Sequence, residues 1–323
     1  MIQEYIEYDV IIIGAGAAGL TAGMYTSRKR LKTLIISIDI GGQTNLTSNI
    51  ENYPGINPLQ GSELMQKFRE QAQSFGCELI MGNVKRISKQ EKNIQEKKIF
   101  VTELFSGEEY FSRSIILAFG KVPRKLGIPG EERFLGRGVS TCVTCDGPFY
   151  TDKTTAIIGG GNSAIEGAIE LGRICKNVYL IHRRKEFRAD EVSLEKLRSL
   201  KNIKLILEYV PTEIKGDKNV KSITLENVHD KTTKELQIDG LFLEIGYVVD
   251  TSMVKDLCEV NEKKEIIVDM HCRTSTQGLF ACGDVTQLPY KQTIIAAGEG
   301  AKAGLEVHKF LTGGKGVSID WTH

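Results

Sequence analysis

Tyr8-Asp9-Val10-Ile11-Ile12-Ile13-Gly14-Ala15-Gly16-Ala17-Ala18-Gly19 is the stretch that decides the fold. A short apolar strand runs straight into a G-x-G-x-x-G turn that opens a helix. Gly14 permits the tight turn, Gly16 lets backbone approach a pyrophosphate, and Gly19 lets helix and strand pack closely. The helix start offers free N–H groups and partial positive charge to phosphates. An ordinary turn is the alternative. The uncharged run Val10–Met24 is rich in Gly and Ala. It is also shorter than the roughly 20 apolar residues of a membrane span, so it reads as buried strand plus helix.

Working outward, the helix runs to about Arg28 and a second strand covers Thr33–Ser37. Asp39 follows that strand and is the candidate to hold a ribose, with a solvated loop carboxylate as the bland alternative. Gly41–Gly61 reads as a long loop and Ser62–Phe75 as a helix, with strands at Lys98–Thr102 and Ile115–Ala118. Glycines and prolines between Phe119 and Gly130 mark a boundary.

The pattern then begins again. Thr154–Ile158 is a strand, Gly159-Gly160-Gly161-Asn162-Ser163-Ala164 a second glycine-rich turn, Ile165–Arg173 a helix and Val178–Ile181 a strand. Two units of one kind suit a protein that binds two dinucleotides. After the second unit's second strand comes His182-Arg183-Arg184-Lys185-Glu186-Phe187-Arg188, with no acid at the strand end. Guanidinium forks match a ribose 2′-phosphate, which favours NADPH over NADH; a basic surface helix that only balances the surrounding glutamates is the alternative. Ile203–Glu208, Ser222–Glu226 and Gly240–Ile245 read as a meander and a final core strand. The remainder, with Gly278-Leu279-Phe280-Ala281-Cys282-Gly283-Asp284 and a helix near Gly298–Leu311, needs a partner and is expected to rejoin the first domain. Asp284 reads either as an acceptor for the ribityl hydroxyls of a flavin or as part of a plain turn. The fold class is therefore α/β, two Rossmann-like domains with one inserted into the other. The segments are 1–119, 120–248 and 249–323.

Seven cysteines, an odd and scattered set, do not form a secreted disulfide framework. Cys142-Val143-Thr144-Cys145 stands apart. It reads as a two-electron dithiol or as half a zinc site, but no second Cys-x-x-Cys and no His-x-x-x-His accompanies it. Asp146, next in the chain, is either an acid/base for the thiols or a turn former before Gly147-Pro148. A net charge of +1 and interspersed Lys and Glu give no reason to expect nucleic acid or an anionic membrane. No secretory signal is read at the start, and a reducing cytoplasm is expected.

Over essentially its whole length the chain resembles the low-molecular-weight thioredoxin reductases. The residues that carry the resemblance are the Gly14–Gly19 turn, Gly41-Gly42-Gln43, Glu51-Asn52-Tyr53-Pro54-Gly55, Cys142–Gly147, the Gly159–Ala164 turn, the His182–Arg188 run and Gly278–Val285. It implies an FAD domain interrupted by an NADPH domain that carries the redox disulfide. It also implies a homodimer, and a rotation of one domain that lets disulfide and nicotinamide take turns. Cys145 then matches the sulfur beside the flavin, Cys142 the one that attacks thioredoxin or a similar small redox protein, and Asp146 the acid/base. Gly14, Gly16, Ala17, Gly19, Asp39, Gly42, Gln43, Asn52 and Val84 match FAD contacts, as do Gly120, Gly283, Asp284, Lys291, Gln292 and Thr293. Gly159, Gly161, Asn162, Ser163, Ala164, His182, Arg183, Arg184 and Arg188 match NADPH contacts. No metal is implied. The chain departs from the family with Lys291-Gln292 where Arg-Gln is usual, and with Ala118-Phe119-Gly120 for Ala-Thr-Gly. Rival readings are a flavin reductase for a glutaredoxin-like or peroxidase-linked protein, a ferredoxin–NADP reductase or NADPH oxidase, and an FAD-holding redox sensor without turnover. The N-terminal thioredoxin-like extension of the peroxidase-linked relatives is not read in these residues.

Overall fold

Successive residues of a strand face opposite sides of its sheet, and in the first strand both sides are covered. Ile11 and Ile13 lie in one apolar cluster, Val10 and Ile12 in another, and all four are buried. In the computed structural model, residues 7–47, 50–94, 97–254 and 256–314 are described. The chain divides into two units, residues 1–122 with 248–323, and residues 123–247. The sequence places these boundaries at 119/120 and 248/249.

The first unit follows β1 (Glu7–Ala15) with α1 (Ala17–Arg28), β2 (Thr33–Ile40), α2 (Gly61–Ser74) and β3 (Glu78–Met81). A meander of β4 (Val84–Ile94), β5 (Lys97–Leu104) and β6 (Glu109–Leu117) completes the run. The sheet order is β3-β2-β1-β6-β5-β4. β1 pairs in parallel with both β2 and β6. The edge of β6 is shared: Ser112 and its predecessors pair with β5, while Ile115–Leu117 pair in parallel with Leu279–Ala281. The carboxy-terminal segment thus closes the first sheet, as its apolar strand without a neighbour required.

One face of that sheet is packed by α1 and the last helix, Thr293–Leu311, through Leu20, Ala22, Ala303 and Val307. The last helix begins five residues before the expected Gly298. Its glycines lower helix propensity, yet they sit where it meets α1: a Cβ on Gly300 would stand 2.1 Å from the carbonyl O of Ala18. Close packing overrides propensity here. The expected loop 41–61 also holds some structure, a 3₁₀ turn at Gly42–Leu46 and a bridge between Ile50 and Leu59.

The second unit has a parallel sheet in the order 203–207, 177–182, 154–159, 240–244, 139–140. The strand Ile203–Leu207, expected in the meander, is instead the parallel edge beside Asn177–His182. The helix Glu191–Ser199, unread in the sequence, supplies the crossover that a parallel neighbour needs. The meander is Tyr209–Gly216, Val220–Asn227 and Thr233–Gln237, all antiparallel. The strand order changes direction between 154–159 and 240–244, and ligands of such sheets bind beyond the carboxyl ends at that point. Among the described residues no helix is long and apolar enough to cross a membrane.

Candidate functional site

In the first unit Gly14 adopts φ +106°, and a Cβ there would lie 2.5 Å from the carbonyl O of Ala118. A Cβ on Gly19 would lie 1.9 Å from the carbonyl O of Gly14. Gly16 differs. Its missing Cβ faces open space, with Gly41 O nearest at 3.9 Å, and Gly42 stands across from it. The start of α1 carries no side-chain cap, so its first N–H groups are free to meet an anion. Ser37 Oγ accepts the N–H of Ala15 at 3.0 Å and braces the turn. This cradle fits a dinucleotide pyrophosphate. Ala17 is buried, so only its backbone meets that space.

The other expected flavin contacts fall in the same unit. The exposed Asp39 carboxylate accepts the Gly42 N–H at 2.9 Å, so it shapes the loop whatever else it holds. Gln43 Nε2 donates to the carbonyl O of Lys121 at 3.0 Å, next to Gly120 at φ +66°. Asn52 Nδ2 donates to Gln292 Oε1 at 3.0 Å, and Thr44 and Thr293 share a hydroxyl contact at 3.0 Å. Thr47, Ile50, Asn52, Gln292 and Thr293 line a cavity of about 500 Å³. Val84 is buried in the core and has only backbone to offer. Asp284 is half-buried beside Gly283, at φ +77°. Burial pushes its carboxyl up, opposed by the charges of Lys291 and Lys121. Among the described residues it makes no hydrogen bond, which leaves it as an acceptor for ligand hydroxyls. Lys291 donates to the carbonyl O of Thr286 at 2.6 Å.

Sequence reasoning passed over three polar groups here. Lys121 pairs with Glu265 at 3.0 Å, well buried on both sides, and buried Glu299 accepts the Gly283 N–H at 2.7 Å. Nothing in the local pattern around them signals this, since their partners are far away in the chain.

In the second unit Gly161 also has open space where a Cβ would stand, and the helix Asn162–Ile174 starts there without a side-chain cap. Gly159 and Ala164 pack tightly: a Cβ on Gly159 would come within 2.5 Å of the Ala164 methyl. Asn162 Oδ1 accepts the N–H of Asp190 at 3.0 Å, and Ser163 is exposed. Arg188 N–H donates to the carbonyl O of Gly160 at 2.7 Å, which folds the basic run onto the turn. His182 packs over Gly160 and stacks on Phe187 at 5.3 Å. Burial, followed by the Arg184 and Arg183 charges, holds its pKa below the usual range despite a backbone hydrogen bond. Arg183, Arg184 and Arg188 are exposed, and none forms an ion pair among the described residues. Three unneutralised guanidinium groups beside an open glycine turn suit a dinucleotide bearing an extra phosphate.

Cys142 and Cys145 form a disulfide with Cα atoms 5.4 Å apart. Cys142 is half-buried and Cys145 exposed. The Cys145 N–H donates to Cys142 Sγ at 3.1 Å, at the start of a short helical turn ending at Asp146. The other cysteines are inert by contrast: burial pushes Cys77 to about 12 and Cys258 and Cys272 to about 11, and raises Cys175 and Cys282.

A family model described as pyridine nucleotide-disulphide oxidoreductase matches residues 8–300. The chain belongs to the pyridine nucleotide-disulphide oxidoreductase family. Membership implies a flavin and a nicotinamide cofactor, in keeping with the two cradles. The thioredoxin reductase of Helicobacter pylori (strain J99 / ATCC 700824) is 41% identical over 94% of this chain and 98% of its own. An alkyl hydroperoxide reductase subunit of Staphylococcus aureus (strain MRSA252) is 38% identical, over 94% of this chain but 59% of its own. The crystal structure of Lactococcus lactis thioredoxin reductase superposes with a TM-score of 0.82 at 40% identity, covering 95% of this chain and 99% of that one.

Proposed function

We propose that this chain is an NADPH-dependent thioredoxin reductase that binds FAD in its first unit and NADPH in its second, and works in the cytoplasm as a homodimer. The observation that carries the reading is a Cys-x-x-Cys disulfide in the same unit as a dinucleotide cradle edged by unpaired arginines. When bound, the flavin supplies an electron pair received from the nicotinamide. The chain's own residues do the rest. The free N–H groups at the starts of α1 and of the helix 162–174 hold pyrophosphates. Asp284 accepts hydrogen bonds from ribityl hydroxyls, and Arg183, Arg184 and Arg188 hold the 2′-phosphate. After reduction the Cys142 thiolate attacks the disulfide of thioredoxin or a similar small protein. Asp146 exchanges protons with the dithiol.

The likeness to an alkyl hydroperoxide reductase component supports a second reading, in which the thiol partner serves a peroxidase. Both readings share one electron route. Purified protein should be yellow, and NADPH should bleach it faster than NADH under argon. Cys145→Ser should lower reduction of a small redox protein by about a thousandfold or more while keeping the flavin. A colourless preparation, or a fully active Cys145→Ser, would end the proposal.

A further inference from the structure

The strand Gly240–Glu244 ends in a residue that a core strand rarely carries. Gly240, Leu241, Phe242 and Leu243 are buried, and Glu244 is half-buried at the carboxyl end. Among the described residues its carboxylate has no hydrogen bond or ion pair. A desolvated and unsatisfied carboxylate is costly, so its surroundings matter.

Three registers place it. Val139 and Ser140 pair with Leu241 and Phe242. Two residues past Ser140 comes Cys142, and two past Phe242 comes Glu244. Phe242 and Glu244 share a face of the sheet. On that face the Tyr150 ring meets Phe242 at 5.5 Å, and Val143 belongs to the same apolar cluster. The helix 162–174 lies along it like a ruler. The Cβ position of Gly167 is 3.0 Å from both Ile157 and Val143, which marks the level of Phe242. Nearly one turn earlier, Ala164 stands over Gly159, the residue opposite Glu244. The strand 139–140 therefore delivers Cys142, past a bend at Thr141, to the end of the sheet where Glu244 stands.

We propose that Glu244 is the proton-exchange partner of Cys142, with Asp146 left to serve Cys145. The inference rests on the dithiol reading above. In the reduced protein the Cys142 thiol gives its proton to the Glu244 carboxylate. The Cys142 thiolate attacks one sulfur of the substrate disulfide. The S–S bond breaks, a mixed disulfide forms, and the displaced sulfur takes the proton from Glu244. The Cys145 thiolate then attacks Cys142 Sγ and re-forms the internal disulfide, and the second substrate sulfur leaves with the Cys145 proton. The substrate disulfide is the only oxidant. Burial raises the Glu244 carboxyl to about 7, where a proton is most readily taken and returned near neutrality. The ionisable groups on the elements packed around it are Asp146 and Cys145 on the short helical turn, and Glu166, Glu170 and Arg173 on the helix 162–174. Tyr247 lies beyond the strand end, and the strand 154–159 carries none.

The test reads alkylation of Cys142 by iodoacetamide against pH in the reduced, flavin-loaded Cys145→Ser protein. The remaining cysteines titrate too high to interfere near neutrality. With Glu244 present the profile should show two coupled steps. Glu244→Gln should collapse it to one step and raise the thiolate population at pH 8 several-fold, because the carboxylate charge present above pH 7 is gone. Glu244→Asp should restore two steps. In the chain with both cysteines, Glu244→Gln should lower turnover at pH 7 about tenfold or more. An unchanged profile overturns the proposal, as does a rise in KM for NADPH with the profile intact, which would make Glu244 a nucleotide ligand. Disulfide reduction that survives Cys142→Ser would sink the parent reading instead.

Discussion

The two glycine-rich turns share a device and differ in how tightly it is drawn. In the first, the third small residue must be Gly19, because a methyl there would stand 1.9 Å from the carbonyl O of Gly14. In the second, the same place holds Ala164, whose methyl fills the room that Gly159 leaves. Beyond the second strand of each unit the chemistry also diverges. The first ends in Ser37, turned inward to brace the turn, and Asp39, while the second ends in His182 and free arginines. One fold thus repeats the same glycine turn, and on the proposed reading the residues past the next strand carry the difference between cofactors.

The sharpest way to break this comparison is to exchange the small residues. Gly19→Ala should destabilise the first unit by about 3 kcal/mol, the upper end of overpacking costs, and release the flavin during purification, followed by its absorbance. Removing the free guanidinium groups comes next. Arg183→Ala with Arg184→Ala should lower the NADPH-to-NADH ratio of kcat/KM about a hundredfold (~2.7 kcal/mol), on the scale of charge-assisted hydrogen bonds, with kcat for NADH unchanged. If both nucleotides suffer equally, the basic run is a solvated surface. Ala164→Gly is the milder counterpart of the first change, with an expected loss of about 1 kcal/mol in thermal or urea unfolding.

The smallest effect concerns Glu244. Its folded carboxyl binds a proton more tightly than the ordinary 4.5 of the unfolded chain. Stability therefore falls as pH rises from about 4.5 to about 7. Glu244→Gln should remove that slope, leaving the variant more stable than the parent above pH 7. Solvent screening of this partly exposed group keeps the difference to about 1 kcal/mol. Urea midpoints at pH 5 and pH 8 read it.

The glycine turns, the apolar strands beside them and the cysteine pair are legible because their signals are local. The strand Val84–Ile94 is not, since its Lys-rich stretch offers no apolar alternation. The last helix reads short because Gly298, Gly300 and Gly304 look like breakers until the approach to Ala18 is known. Glu244 does leave a trace, a single charge within Leu-Phe-Leu-Glu-Ile-Gly. Cys142, its proposed partner, lies about a hundred residues away, and only the pairing of 139–140 with 241–242 sets their strands side by side.

The shared edge of β6 sets an order of events at the ribosome. β1 and β6 emerge early, but their sheet lacks its last strand until Leu279–Ala281 has been synthesised. By then residues 123–247 are complete and free to fold as a unit. The nascent first unit must wait with Ile115–Leu117 unpaired on that side, an open edge of the kind that recruits other chains. Slowing translation between residues 250 and 280 should therefore cost soluble yield more than slowing it anywhere after residue 300.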